Sequence, residues 1–328
     1  MPRISLRIAG AALAALLPAA DAYAQAEAAK NYPSRPVRWV VPFTPGASND
    51  IIARLIGQKL SEAWGQQFVV DNRPGAGGAV GAETVAKAPS DGYTLILANP
   101  GPNVNTPLMM RKPLYKVEDF TPVVFIGYAP LIIIAHPGFQ PRNPKELLAF
   151  AKANPGKVNW GSSGIGSSLH IGLALFQGAT GTDVVHVPYK GAAPAITDTV
   201  GGQINLMYTT TVSGETQIKA GRVKVIGVAA EKRVALLPDV PTLAESGIKD
   251  AEALVWFGMA GPPKMPRALV DKLNAQVNRS LALPDVKQRL DQLGLEVAGG
   301  SPDEFDRFIK KESAKVTMLI KAGLLKPE

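Results

Sequence analysis

The 328-residue chain contains no cysteine, which excludes disulfides, thiolate metal centres and a lipid anchor on a cysteine behind an export leader. Histidine occurs only three times, at His136, His170 and His186, and those spacings fit no common zinc pattern. No cofactor is therefore expected. Aromatic residues make up only 6% of the chain, and Lys and Arg are scattered rather than gathered in runs, which argues against nucleic acid as a partner. No low-complexity segment and no repeat of fixed period is present. The apolar run at the N-terminus, Ile8 to Leu17, falls well short of the roughly 20 residues that span a bilayer.

That run has the form of an export leader. Arg3 and Arg7 precede it, and Ala22-Tyr23-Ala24 follows as a small-x-small cleavage site. Residues 1–24 are read as a signal peptide cleaved near Ala24, so the mature protein begins at Gln25 in the periplasm. The formal net charge of +8 falls by one when Arg3, Arg7 and Asp21 leave, and the remaining excess weakly favours acidic ligands. About 300 mature residues are enough to bury two ordinary cores without disulfide staples.

The pattern after the leader alternates strand and helix. Val37-Arg38-Trp39-Val40-Val41 reads as a buried strand, followed by Ile51, Ile52, Leu55, Ile56 and Leu60 at helical spacing. Phe68-Val69-Val70 and Tyr93 to Leu97 continue the βαβ pattern, which implies a parallel sheet. Leu131 to Ala135 opens a second series, whose first helix carries Asn143 as cap, Pro144 at the first position and Glu146 placed for a capping box. Further strands are expected near Val158 to Trp160, Val184 to Val187, Ile204 to Tyr208 and Arg222 to Val228, with helices over Ser168 to Gly178 and Ala193 to Val200. Leu254 to Gly258 leads back to helices at Pro266 to Leu283, Pro284 to Leu293 and Pro302 to Ala322, the last with Ser301, Pro302 and Glu304 as a capping box. Two crossings, at Tyr128 to Pro130 and Leu254 to Phe257, divide an α/β chain into lobe one (25–129 plus 255–328) and lobe two (130–254), with a mostly parallel sheet in each. Trp39, Trp160 and Trp256 are expected in the cores.

Gly/Ser-rich turns stand between strands and helices at Pro42 to Ser48, Asn72 to Gly78 and Gly161 to Ser168. The first turn of a helix leaves N–H groups unpaired and carries about half a positive charge, so several such ends facing one cleft would hold an anion. A single such turn is equally well a tight connection, and Ser162, Ser163, Ser167 and Ser168 are also natural helix caps.

At this point the residues carry a family likeness over essentially the whole mature chain. It rests on Tyr32 to Pro36, Pro42-Phe43 through Asp50, Asn72 to Gly78, Asp91-Gly92-Tyr93-Thr94-Leu95, Ser162-Ser163-Gly164-Ile165-Gly166-Ser167 with His170, Val187-Pro188-Tyr189-Lys190-Gly191 and Pro238 to Thr242. In this order they resemble the Bug family of periplasmic solute-binding proteins, the receptors of tripartite tricarboxylate transporters. The resemblance implies a type II-like Venus flytrap in which two α/β lobes close on a small carboxylate, without catalysis, and deliver it to a membrane permease; a monomer is expected.

By the same resemblance the ligand is held largely through backbone amides and ordered water at Phe43, Thr44, Gly46, Ala47 and Ser48, and at Ser162, Ser163, Gly164, Gly166 and Ser167. Asp50, His170, Tyr189 and Thr209 complete the set of expected ligand-binding residues. Two departures stand out. Ala47-Ser48-Asn49 replaces the further glycines common in relatives, and Tyr208-Thr209-Thr210-Thr211 replaces an aromatic followed by a polar or acidic residue, which favours a ligand without an ammonium group.

Other readings compete. Asp50 has a sufficient structural role as a first-turn acid, and Lys190 beside Tyr189 is equally a solvated lysine beside a packed tyrosine. Gly75-x-Gly77-x-x-x-Gly81 is unlike a dinucleotide fingerprint, because it follows the second strand and no acid ends the next. A secreted hydrolase or transferase using Ser167 and His170 is the alternative function, against which stand the missing nucleophile elbow and the absence of a third residue to orient the base.

Overall fold

Val37, Trp39, Val40 and Val41 are wholly buried, and their strand, β1 (Val37–Val41), sits inside the first of two sheets. The computed structural model describes residues 29–323, 325 and 327, so the leader expected over 1–24 and its cleavage site lie outside the described residues. After β1 come α1 (Ser48–Trp64), β2 (Phe68–Asn72), a short 3-10 turn (Ala76–Gly78), α2 (Ala79–Ala86) and β3 (Thr94–Ala98). A π turn (Gly101–Asn105) and α3 (Thr106–Met109) lead to β4 (Thr121–Pro130). The chain then enters lobe two through β5 (Ile132–Ala135), α4 (Pro144–Ala153), β6 (Asn159–Ser162), α5 (Ser168–Thr180), β7 (Val185–Pro188), α6 (Ala192–Val200), β8 (Leu206–Thr209), α7 (Thr211–Lys219) and β9 (Lys224–Val228). It returns through β10 (Leu254–Gly261), and α8 (Arg267–Leu281), α9 (Pro284–Leu293), β11 (Glu296–Val297) and α10 (Pro302–Lys321) follow.

The first sheet has the order β11-β4-β10-β3-β1-β2 and the second β7-β6-β8-β5-β9. The βαβ pattern accounts for the parallel part of each, with β1 parallel to β2 and β3, and β6 parallel to β7 and β8. The rest is antiparallel, so both sheets are mixed. The reason is the crossing itself: β4 leaves lobe one and β10 comes back, so they pair in opposite directions from Leu254↔Pro130 to Gly261↔Thr121. The expected crossings at 128–130 and 254–257 are the lobe-two ends of these two strands.

Helix ends follow the capping chemistry. Ser301 and Glu304 form the expected reciprocal box at α10. At α4 the Asn143 side chain accepts from Glu146 N at 3.0 Å, but the Glu146 carboxylate reaches Arg142 N at 2.8 Å and the Asn143 amide instead of closing the box on the cap N–H. Trp39, Trp160 and Trp256 are fully buried. Trp160 packs at ring-centroid distances of 4.9 Å from Phe176 and 5.0 Å from Tyr208, knitting α5 to the second sheet.

Candidate functional site

The β1–α1 turn and the β6–α5, β7–α6 and β8–α7 turns face one another across the two lobes. They touch. The Ser48 N–H at the head of α1 donates to Ser213 Oγ on α7 at 2.8 Å. Gly77, with φ of +61°, approaches the β6–α5 turn so closely that a Cβ there would lie 2.0 Å from the Ile165 carbonyl oxygen. Gly191 meets Thr44 in the same way, since a Cβ on it would lie 2.3 Å from Thr44 Oγ1. Only glycine permits either contact.

Between the lobes lies a cavity of about 30 Å³, room for a water molecule or a single carboxylate oxygen. Lobe one contributes Phe43, Ala47, Ser48, Asn49 and Asn99 to its wall, lobe two Ser163, Ser168, Leu169, Ala192 and Thr209, with Thr210 and Ser213 beside them and Val255 from β10. Among the described residues, no charged side chain lines it. The helix ends that reach it differ in capping. Ser167 and Thr210 cap α5 and α7, their oxygens accepting from His170 N and Ser213 N. Ala47 and Gly191, the caps of α1 and α6, make no side-chain cap hydrogen bond; these two helix ends come from opposite lobes, and the turn before α1 meets the α6 cap at the Thr44–Gly191 contact. The hydroxyls of Ser168 and Thr209 are buried in this wall without a hydrogen-bond partner. A buried hydroxyl without a partner costs about 1–3 kcal/mol, so these two are poised to gain from a ligand oxygen.

Of the residues expected at the site, Phe43, Ala47, Ser48, Ser163 and Thr209 line this cavity. The others stand behind it. Asp50 Oδ2 accepts from Gly46 N at 3.1 Å and from Arg54 Nε at 3.0 Å, bracing the turn. Burial alone would raise the Asp50 carboxyl, but the hydrogen bonds from Arg54, Gly46 and Asn72 and the Arg54 charge hold it below its ordinary value. Tyr189 donates its hydroxyl to Asp198 on α6 at 2.7 Å, and burial together with that bond pushes it up to about 12.

Ser162, Gly164, Gly166, Ser167 and His170 shape the second loop from within. Ser162 Oγ accepts from Gly164 N at 3.1 Å and lies 2.6 Å from His186 Nε2, while His170 Nδ1 accepts from Gly166 N at 3.2 Å. The rings of His170 and His186 stack with centroids 4.2 Å apart and planes 7° off parallel. Burial, and then the neighbouring His170, lower His186 to about 4. Ser167, the nucleophile of the hydrolase alternative, uses its oxygen as the cap of α5.

Sequence reasoning missed Asn49, Asn99, Ser168, Leu169, Ala192, Thr210, Ser213 and Val255 on the wall, and His186 behind it. Ser168 and Ala192 had a usable signal, being the first residues of helices that follow glycine turns. Asn99 and Ser213 had none, because only the closing of the lobes brings them to the cavity.

The model of the tripartite tricarboxylate transporter family receptor matches residues 52–325. A UPF0065 protein from the tcbD-tcbE intergenic region of Pseudomonas sp. is 41% identical over 290 residues, 88% of this chain and 86% of the relative. Protein BugT of Bordetella pertussis is 33% identical over 286 residues, 87% and 88% of the two chains. Among solved structures, an R. palustris protein with adipate superposes with a TM-score of 0.87 at 34% identity, covering 90% of this chain and 100% of its own. The periplasmic binding protein BugD does so with 0.85 at 37%, over 90% and 100%. MatC of Rhodopseudomonas palustris, with bound malate, gives 0.84 at 31%, over 88% and 100%. BugD is described as a periplasmic binding protein, and no helix among the described residues of this chain is long and apolar enough to cross a membrane. The chain belongs to the tripartite tricarboxylate transporter family of receptors, in which the Bug proteins stand.

Proposed function

We propose that the protein binds a small dicarboxylate or tricarboxylate, or an aromatic acid, between its lobes and hands it to a membrane permease, without turning it over. The observation that carries this reading is the wall between the lobes. It combines two uncapped helix N-termini with the unpartnered hydroxyls of Ser168 and Thr209, and it has no charged side chain to compete for the anion. A carboxylate there accepts hydrogen bonds from N–H and O–H groups already pointed inward and aligned with the helix dipoles. Adipate in one structural neighbour and malate in another lend the reading chemical support.

Residues 25–129 with 255–328 form one lobe of this device and residues 130–254 the other, and it works as an exported monomer freed from its leader at Ala24. The cavity of about 30 Å³ is too small for a four- to six-carbon acid, so the liganded lobes stand further apart than these. Ligand binding then replaces direct contacts between the lobes, such as Ser48 to Ser213, with contacts through the ligand.

A thermal-shift screen of the mature protein against dicarboxylates, tricarboxylates, aromatic acids and acidic amino acids tests the reading. At about a hundred times the dissociation constant a ligand adds roughly 2.7 kcal/mol, a rise of several degrees. A shift from a carboxylate without an ammonium group is expected. Silence from every acid would overturn it.

A further inference from the structure

A second cavity, of about 990 Å³, lies on the other side of the hinge strand β10 and shares with the wall of the carboxylate site only Ser168 among the described residues. Neighbouring residues of β10 separate the two: Val255 borders the small cavity and Leu254 the large one, as expected of side chains that alternate across a strand. The walls are two helix faces from opposite lobes, Ile171 and Leu175 on α5 and Glu312, Val316 and Leu319 on α10. The volume is that of a small-molecule site.

Two features call for an occupant. Leu236 and Leu254 line the cavity and remain 44% and 43% exposed, large apolar side chains left to water inside a concave surface. Among the described residues, Glu312, half-buried on the α10 wall, accepts no hydrogen bond and makes no ion pair at contact distance, and the same holds for Glu252, also on the lining. Burial raises the Glu312 carboxyl in spite of Lys315 and Lys311 nearby. The other lining charges are largely committed or exposed. Arg233 is held by Glu245 and the Pro238 carbonyl, Glu296 takes the Tyr128 hydroxyl at 2.5 Å, and Glu231, Lys232 and Lys315 face solvent.

We propose that this cavity is a second binding site, for a small amphipathic organic cation whose ammonium group pairs with Glu312 and whose apolar body covers Leu236, Leu254 and Val316. Carboxylates outnumber basic groups around it, so a cation is matched in charge, whereas the site between the lobes is built for an anion. Because the walls belong to both lobes, an occupant that fits the present separation favours it and alters the affinity of the carboxylate site, and the carboxylate acts on the cation reciprocally. Only that coupling rests on the proposed carboxylate function; the binding of the cation does not.

The test is a titration of the mature protein with phenethylammonium, 2-phenylethanol and 3-phenylpropionate, followed by amide NMR. The ammonium compound is expected to saturate and to shift α5, α10 and residues 229–236, with the alcohol much weaker. E312Q should weaken it by at least about tenfold, as loss of a charged hydrogen-bond partner does. L236K, at an exposed position that leaves folding intact, should weaken it as well. Absence of saturable binding, equal binding of the three compounds, or indifference to both substitutions would overturn the proposal. Shifts from phenylpropionate confined to residues 42–48 and 162–167 would leave the carboxylate reading standing whatever the cation does.

Discussion

The Ser48 N–H and the Ser213 hydroxyl meet across the cleft at 2.8 Å, so the uncapped end of α1 in one lobe takes its acceptor from α7 in the other. This bond exists only while the lobes are shut. Its removal in S213A lowers the closed-to-open ratio of the unliganded protein by about fivefold, the equivalent of one ordinary hydrogen bond. Small-angle scattering checks this: the variant without ligand should show a larger radius of gyration than the wild type, and the two should agree when ligand is saturating.

Gly77 carries a second contact of the same kind. Alanine there places a methyl group 2.0 Å from the Ile165 carbonyl oxygen in a left-handed backbone conformation. G77A is expected to open the unliganded lobes without weakening carboxylate binding, because the liganded lobes already stand further apart than this contact allows, while the melting point falls by only a few degrees. Calorimetric titration and a thermal melt check the affinity and the stability.

Thr209 gives effects of opposite sign. Its hydroxyl is buried without a partner, so T209V removes an unpaid desolvation and should leave the free protein as stable as before or up to about 1 kcal/mol more stable. The same substitution weakens the acid by about five- to tenfold if that hydroxyl bonds the ligand. Denaturant melts with and without the best acid of the thermal screen measure both signs in one variant.

His186 makes the fold sensitive to mild acid. Its ordinary value is 6.5 and the folded value is about 4, so as pH falls from about 6.5 to about 4 the unfolded chain takes up a proton that the folded ring refuses. Stability drops over that window. Asp50, held below its ordinary 3.8, contributes stability that is present above that value and is lost only in stronger acid. H186N should flatten the decline between pH 6.5 and 4 and leave the acid limb below it unchanged, as read from denaturant midpoints against pH.

How far the sequence foretold this molecule varies by element. The turns at 42–47 and 163–167 were legible because glycine and serine stand between a β-branched run and a helical period. The α10 box was legible because Ser301 and Glu304 need only each other. By contrast, α7 has the weak pattern Thr-Val-Ser-Gly-Glu-Thr-Gln-Ile-Lys and buries only Thr211, Val212 and Gly214, so no apolar stripe marks it. Most of β4 was hidden for another reason. Its Thr121 to Gly127 stretch carries a proline at its second position and takes its partners from β10, more than a hundred residues away. The wall of the site fared likewise: Ser48 and Ser163 could be named from local chemistry, whereas Asn99 and Ser213 become neighbours of the cavity only through tertiary closure.

The most direct test of the carboxylate site is a crystal structure of the mature protein with the acid that gives the largest thermal shift. The account predicts carboxylate oxygens within hydrogen-bond distance of the first turn of α1 and of Ser168 Oγ or Thr209 Oγ1, with the lobes parted relative to the arrangement here. An acid bound away from both helix ends, or held chiefly by a charged side chain, would contradict it.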